Sequence, residues 1–279
     1  MRNTITTFII LGIAQGVAEF LPISSSGHLV ILQQIPWIKN SIDSVANNQM
    51  LFINVALHLA SLAAVIVFFR KDIVKLVTDS VSALFKKNFS DNSLIISTYI
   101  IIASIPAAII GLLFSSYIED NLMFLLPVSI LLIINGLILL YTKRIKRKDR
   151  QLEQMGFFTA FLIGCCQAVA VLPGISRAGM TISGGMIRGI ESDKAARFSF
   201  LMSIPVIAGA SLLESVKAFS RGLDSSFFIP LGVGSVACFV SALLALRLLF
   251  IIIRKTAFPV FGFYTIAVGL LGVAVNMFF

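Results

Sequence analysis

The sequence predicts an all-α integral membrane protein, with six transmembrane helices plus two re-entrant helical hairpins in an inverted-topology repeat. Three observations carry that prediction. First, 58% of the 279 residues are hydrophobic, only 13% are charged and mean hydropathy is +0.98, whereas a soluble domain is about a quarter charged. Second, the apolar runs are continuous and do not alternate with polar residues, which excludes a transmembrane β-barrel and leaves a helical bundle. Third, two apolar regions are interrupted by Pro, Gly, Ser and charge at membrane depth, and the two interruptions resemble each other.

The first interrupted region, 4–38, contains Glu19, Pro22, Ser24-Ser25-Ser26-Gly27 and His28. The start of the chain, Met1 to Gly16, has a basic residue followed by an apolar stretch and shares the look of a signal peptide. The polar cluster that follows and the lack of a convincing small-x-small cleavage pattern favour a segment that stays in the membrane. Clean spanning candidates come next at 51–69, 94–118 and 122–141. The second interrupted region, 155–187, contains Pro173, Gly174, Ser176, Arg177 and Gly179, and the spans 198–213, 225–246 and 256–279 follow it. Freed backbone groups at such breaks survive only against protein or a water-filled cavity, so each region reads as a helix, a turn and a second short helix.

Gln15-Gly16-Val17-Ala18 matches Gln167-Ala168-Val169-Ala170, Leu21-Pro22 matches Leu172-Pro173, and Ile23-Ser24-Ser25-Ser26-Gly27 matches Ile175-Ser176-Arg177-Ala178-Gly179. The chain therefore reads as two repeats, 1–150 and 151–279, within one membrane domain. Each is a hairpin that returns to its own side followed by three spans, so the halves take opposite orientations. Most Lys and Arg fall in the connecting loops 70–87, 143–150, 188–197 and 247–255, which all lie on one face in this arrangement. The positive-inside rule makes that face cytoplasmic. The first hairpin then enters from outside, the second from inside, and their tips meet near the midplane. Glu119-Asp120 is placed in a tight turn on the opposite face, with Arg2, Lys39, Lys217 and Arg221. The net charge of +9 is accounted for by topology and by anionic headgroups beside 143–150, so membrane lipids are expected partners and nucleic acid is not. Cys165, Cys166 and Cys238 lie inside apolar runs without CxxC spacing and read as small buried hydrophobes.

Of 13 acidic residues, only Glu19 sits deep within an apolar segment. An ionisable group there marks a functional site by default. Gln15, one helical turn earlier, shares its face, and the pair offers oxygen and amide ligands to a divalent ion or a polar substrate; the plainer reading is a hydrogen-bonded pair. Ser24, Ser25, Ser26 and Gly27 open the second short helix, where N-caps and free N–H groups attract anions. His28 is placed to act as base, acid or nucleophile, and His58 reads as a structural hydrogen-bonding histidine, with a supporting role at the site as the alternative. Arg177 is the basic residue of the duplicated break, suited to clamping phosphate oxygens, with Ser176 and Thr181 adding hydroxyls; its plainer reading is a salt bridge to Glu19. Together these groups form an anion site beside a metal or acid/base group, with phosphate the best candidate.

Gln15-x-x-x-Glu19-Phe-Leu-Pro-x-Ser-Ser-x-Gly-His28 and Pro173-Gly-x-Ser-Arg177-x-Gly-x-Thr181, followed by Ala195-Ala-Arg-Phe-Ser-Phe and Ile204-Pro, are similar to the two signature regions of bacterial undecaprenyl-diphosphate phosphatases, the bacitracin-resistance family. The resemblance covers essentially the whole chain, including Ala56-Leu57-His58 and Phe68-Phe69-Arg70-Lys71-Asp72. Gln15 stands where some members have Glu, which lowers the negative charge available to a metal.

The resemblance implies hydrolysis of undecaprenyl diphosphate to undecaprenyl phosphate and inorganic phosphate, recycling the lipid carrier of cell-wall synthesis in the bacterial cytoplasmic membrane. It implies a polyprenyl diphosphate substrate and a divalent cation, Mg2+ or Ca2+, held by Glu19 with Gln15. Catalysis falls to His28, Glu19, Ser25 and Arg177, with His28 favoured as nucleophile or acid/base and Ser25 as the alternative nucleophile. Substrate contacts fall to Gln15, Ser24, Ser26, Gly27, Ser176 and Thr181. A homodimer is compatible with this reading and not required by it. Another class of lipid phosphatase pairs Ser-Gly-His with Ser-Arg-x5-His, but here Ser183 stands where its second histidine belongs. The rival function is a secondary transporter or flippase of a polyprenyl phosphate lipid, since inverted repeats with broken helices are a common transporter plan.

Overall fold

A computed structural model describes residues 2–43, 50–145, 150–219, 228–255 and 257–278. Within them the chain is helical: α1 (Arg2–Phe20), α2 (Ser25–Leu32), α3 (Pro36–Asp43), α4 (Met50–Phe68), α5 (Arg70–Phe85), α6 (Asn92–Leu122), α7 (Leu125–Tyr141), α8 (Phe157–Val169), α9 (Arg177–Ile187), α10 (Ser192–Phe219), α11 (Phe228–Arg254) and α12 (Val260–Phe278). Five of these are long and apolar enough to cross a membrane, and α4 with α5 makes a sixth if the bent pair is counted as one span. All six clean runs of the sequence therefore correspond to helices. Helices α6 and α10 continue through Pro106 and Pro205. Both interrupted regions are a helix, a turn and a short helix: α1 and α2, then α8 and α9.

Segment 70–87, read from sequence as a charged loop, is instead mostly helix α5, set at 73° to α4. Its valines and lysines recur at helical spacing, and the sequence reading weighed their charge above their period. Its Ser80 meets Ser97 of α6 at 2.9 Å. Glu119 and Asp120 lie in the last turn of α6, so the tight turn falls at Met123 and Phe124. Helix α3 was not foreseen. Lys146, Arg147, Lys148 and Arg221, used above to orient the loops, lie outside the described residues, as does the start of the 225–246 run.

Close helix contact rests on glycine. A Cβ at Gly12 or Gly16 of α1 would collide with the backbone of α11, and one at Gly164 of α8 would stand 2.5 Å from Ala103 O of α6. Gly136 of α7 faces Gly262 of α12 in the same way. Lipid tails are as apolar as Leu, so van der Waals contact at small residues is what favours helix association in a bilayer. Helices from 1–150 and 151–279 interleave as a result: α1 packs on α11, α8 on α6, α4 on α10 and α7 on α12.

The outside is apolar, with Ile101, Leu112, Leu113, Val236, Leu244 and Leu271 all exposed, while Gln15, Asn135, Gln167, Ser176 and Thr181 are buried. That inversion of the soluble pattern fits a lipid-facing surface. Basic segments gather at one end. Arg197 pairs with Asp72 and Asp193, Asp193 also takes Arg254, Arg150 bridges to Ile190, and Lys194 reaches Gln151 and Glu191. Segments 70–87, 188–197 and 247–255 thus meet one another, and Arg150 meets the second of them.

Candidate active site at two broken helices

Both breaks are built from the residues that read as turns. Ser24 caps α2 by accepting a hydrogen bond from Gly27 N at 3.3 Å, and Ser176 caps α9 by accepting one from Gly179 N at 3.1 Å. Ser24 takes φ +69°, a conformation that costs a residue with a Cβ about 1 kcal/mol or more. At the second break the corresponding freedom belongs to Gly174, at φ +102°, where a Cβ would stand 2.6 Å from Val128 O. A Cβ on Gly27 would lie 3.3 Å from Gly174 Cα, so the two tips touch.

Glu19 is the hub. Its Oε1 accepts from Arg177 Nη2 at 2.7 Å, across 158 positions of sequence, and its Oε2 accepts from Ser25 Oγ at 2.7 Å and Gln15 Nε2 at 3.2 Å. The side chains of Arg177 and Glu19 are 14% and 8% exposed. Both plainer readings, the Gln15–Glu19 pair and the Glu19–Arg177 bridge, are therefore real contacts. They do not exhaust the groups: Arg177 Nη1 and Gln15 Oε1 are buried without a partner. A donor of a guanidinium left open beside a hydroxyl held on a carboxylate is an arrangement suited to an anion and a proton transfer at one point.

The remaining expected residues divide. His28 Nδ1 bonds Ser24 O at 2.8 Å and its Nε2 meets Tyr264 Oη at 2.8 Å. Ser26 Oγ lies 3.3 Å from Ser24 Oγ. Thr181 donates to Arg177 O and shares a 2.6 Å contact with Ser199 of α10, so its hydroxyl is engaged within the protein and only 1% exposed. His58 Nδ1 lies 2.8 Å from Asn54 O on its own helix.

Sequence reasoning missed Asn135. From the middle of α7 its Nδ2 donates to Pro22 O at 3.2 Å, and its Oδ1 accepts from Ser176 N at 2.9 Å, fastening both breaks with one side chain that is 1% exposed. The signal was present as a lone amide in an otherwise apolar span. Tyr264 carried no such signal, because tyrosine is common at membrane interfaces.

A metal centre made by the protein alone is not evident: among the described residues no three His, Cys, Asp or Glu side chains converge. Glu19 and the unpartnered Gln15 Oε1 fit a cation that takes its other ligands from phosphate oxygens and water, as Mg2+ commonly does.

Residues 8–271 match the family model of bacitracin resistance protein BacA. Relatives named undecaprenyl-diphosphatase include those of Moorella thermoacetica, 39% identical over 98% of each chain, and of Alteromonas mediterranea, 38% identical over 95% of this chain and 96% of the relative. That of Desulforapulum autotrophicum is 37% identical, also over 95% and 96%. With its two broken helices, their paired motifs and a match over nearly its whole length, this chain belongs to the bacitracin resistance protein BacA family.

Proposed function

We propose that this chain is a membrane-embedded undecaprenyl-diphosphate phosphatase, releasing inorganic phosphate and undecaprenyl phosphate and so recycling the lipid carrier of cell-wall synthesis, the activity that confers bacitracin resistance. The observation that carries this reading is the Glu19 carboxylate holding Ser25 Oγ and Arg177 Nη2, with Arg177 Nη1 open. An arriving diphosphate competes for Arg177 through charge-assisted bonds and loosens the ion pair. Glu19 is then free to accept the Ser25 proton as Oγ attacks the terminal phosphorus. The bond to the bridging oxygen breaks, undecaprenyl phosphate leaves, and water hydrolyses the phosphoserine to return Ser25 and inorganic phosphate. Ser25, whose hydroxyl is held on the Glu19 carboxylate, is the attacking group, and His28 acts as the acid/base group. N–H groups at the start of α2 and α9 face the same anion. A bound divalent cation would neutralise charge on the diphosphate, with Glu19 and Gln15 as its protein ligands.

The finer topology is part of the proposal. Exchange of partners between halves, α1 on α11 and α8 on α6, is what an inverted repeat of 1–150 and 151–279 produces, with each hairpin re-entrant. The gathered basic segments are cytoplasmic and the protein resides in the bacterial inner membrane; a homodimer is allowed and not needed to complete the site.

Purified protein with Mg2+ or Ca2+ should release phosphate from undecaprenyl diphosphate, and a chelator should suppress the release. No release from active-lipid micelles would end the enzymatic reading, and lipid movement without release would replace it by transport. Single cysteines at Asn121 and Arg188 should be labelled from opposite sides of the membrane; labelling from one side removes the inverted repeat.

A further inference from the structure

Neither His28 ring nitrogen is free. Ser24 O can only accept, so in the neutral ring Nδ1 carries the proton and Nε2 carries the lone pair. Tyr264 Oη lies 2.8 Å from that nitrogen and donates to it. The two ring planes are 5° apart with centroids at 5.6 Å. Tyr264 is on α12, 236 positions away, and its side chain is 45% exposed among the apolar neighbours Phe263, Ile266 and Ala267. A tyrosine on an apolar face orients by its hydroxyl, and among the described residues His28 is the partner this hydroxyl has.

We propose that Tyr264 is the positioning residue for His28: the phenol fixes the imidazole in the Nδ1-protonated form and aims Nε2, so that the ring is already oriented when the diphosphate arrives. A ring pinned at both nitrogens has one orientation. Held only by Ser24 O, it samples others, and the imidazole is less often in the orientation that the Ser24 O and Tyr264 Oη bonds fix together. This assignment rests on the phosphatase reading above. It also divides the site's support: Glu19 and Arg177 are held across the two breaks, whereas His28 is held from α12, which packs on the Asn135-bearing α7.

The test is Tyr264→Phe, which keeps the ring and removes the donor. Phosphate release from undecaprenyl diphosphate should lose roughly threefold to tenfold in kcat, the size of one net hydrogen bond, with KM within about twofold. In a His28→Ala background the same substitution should cost nothing further. The chain has 2 histidines, so [15N]histidine NMR resolves both rings. In Tyr264→Phe the His28 Nε2 resonance should move and its Nδ1–H signal should broaden, with His58 unchanged. An unaltered kcat with unaltered His28 resonances overturns the proposal, as does an equal loss of activity with and without His28, which would mark Tyr264 as packing only. If the parent releases no phosphate, the phosphatase reading fails by that result, and the NMR comparison alone decides whether Tyr264 holds the ring.

Discussion

The break between α1 and α2 and the break between α8 and α9 use one backbone device for two kinds of chemistry. Each ends in a serine cap and opens a short helix, and the two tips touch through Gly27 and Gly174. The first carries the acid, the hydroxyl tract and the imidazole; the second carries the guanidinium. The difference extends to the glutamines one turn before each break. Gln15 donates to Glu19, whereas both amide atoms of its counterpart Gln167 are buried without a partner. The proposed duplication would supply two similar cradles, one carrying the carboxylate and the other the guanidinium. A site made of two identical halves would bring together like charges at short range, which neither half could keep ionised.

The largest effect should come from the acidic half. Glu19→Gln removes the base and leaves Arg177 without its counter-charge, and phosphate release should fall by about a thousandfold or more while the protein still inserts. Activity within tenfold of the parent would make Glu19 structural and leave the two breaks chemically alike. In the basic half, Arg177→Lys keeps the charge and loses the planar fork, so a loss of roughly a hundredfold is expected, about 3 kcal/mol of transition-state stabilisation. A lysine enzyme as fast as the parent would mean that charge alone is read there.

Asn135 ties the halves together, and its substitution sharpens the comparison. Asn135→Leu removes two bonds to buried backbone groups, Pro22 O and Ser176 N, which should cost about 2 kcal/mol of stability and about tenfold in activity through misplaced tips. Thermal unfolding in detergent measures the first and phosphate release the second; a change in stability with full activity would show that the tips hold their geometry without the clasp. The smallest effect belongs to Gln167. Gln167→Leu takes away an unsatisfied amide, so activity should stay within twofold and stability should hold or rise. Gln15→Leu, in contrast, should slow hydrolysis. Equal responses of the two glutamines would erase the asymmetry between the breaks.

Much of the site was legible because its signals are local. A carboxylate at Glu19 with no charged neighbour in the run, serines before a short helix and an arginine after Pro173-Gly174 are readable in a window of a few residues. Gln15 and Glu19 were placed on one face by a four-residue spacing, and they do bond. Ser176 and Thr181 were legible as polar groups, but not as groups whose hydroxyls bond Gly179 N and Ser199. Their partners depend on cap geometry and on which helix lies alongside. Segment 70–87 shows the opposite error, where charge was given more weight than a helical period and α5 went unrecognised.

By itself the sequence determined the membrane class, the six apolar runs, the two breaks and the polar residues set among apolar ones there, because desolvation of charge and unsatisfied backbone is costly wherever the chain lies in lipid. Tertiary structure alone decided that Arg177 closes on Glu19, that Ser25 is the hydroxyl held by that carboxylate, that Asn135 clasps both breaks and that Tyr264 faces His28. Apart from Ser25 and Glu19, which face each other across the first break, these pairs join positions far apart in the chain. A hydrogen bond needs its two atoms within about 3 Å, a condition set by helix packing at small residues such as Gly16, Gly136 and Gly164 and not by any local pattern.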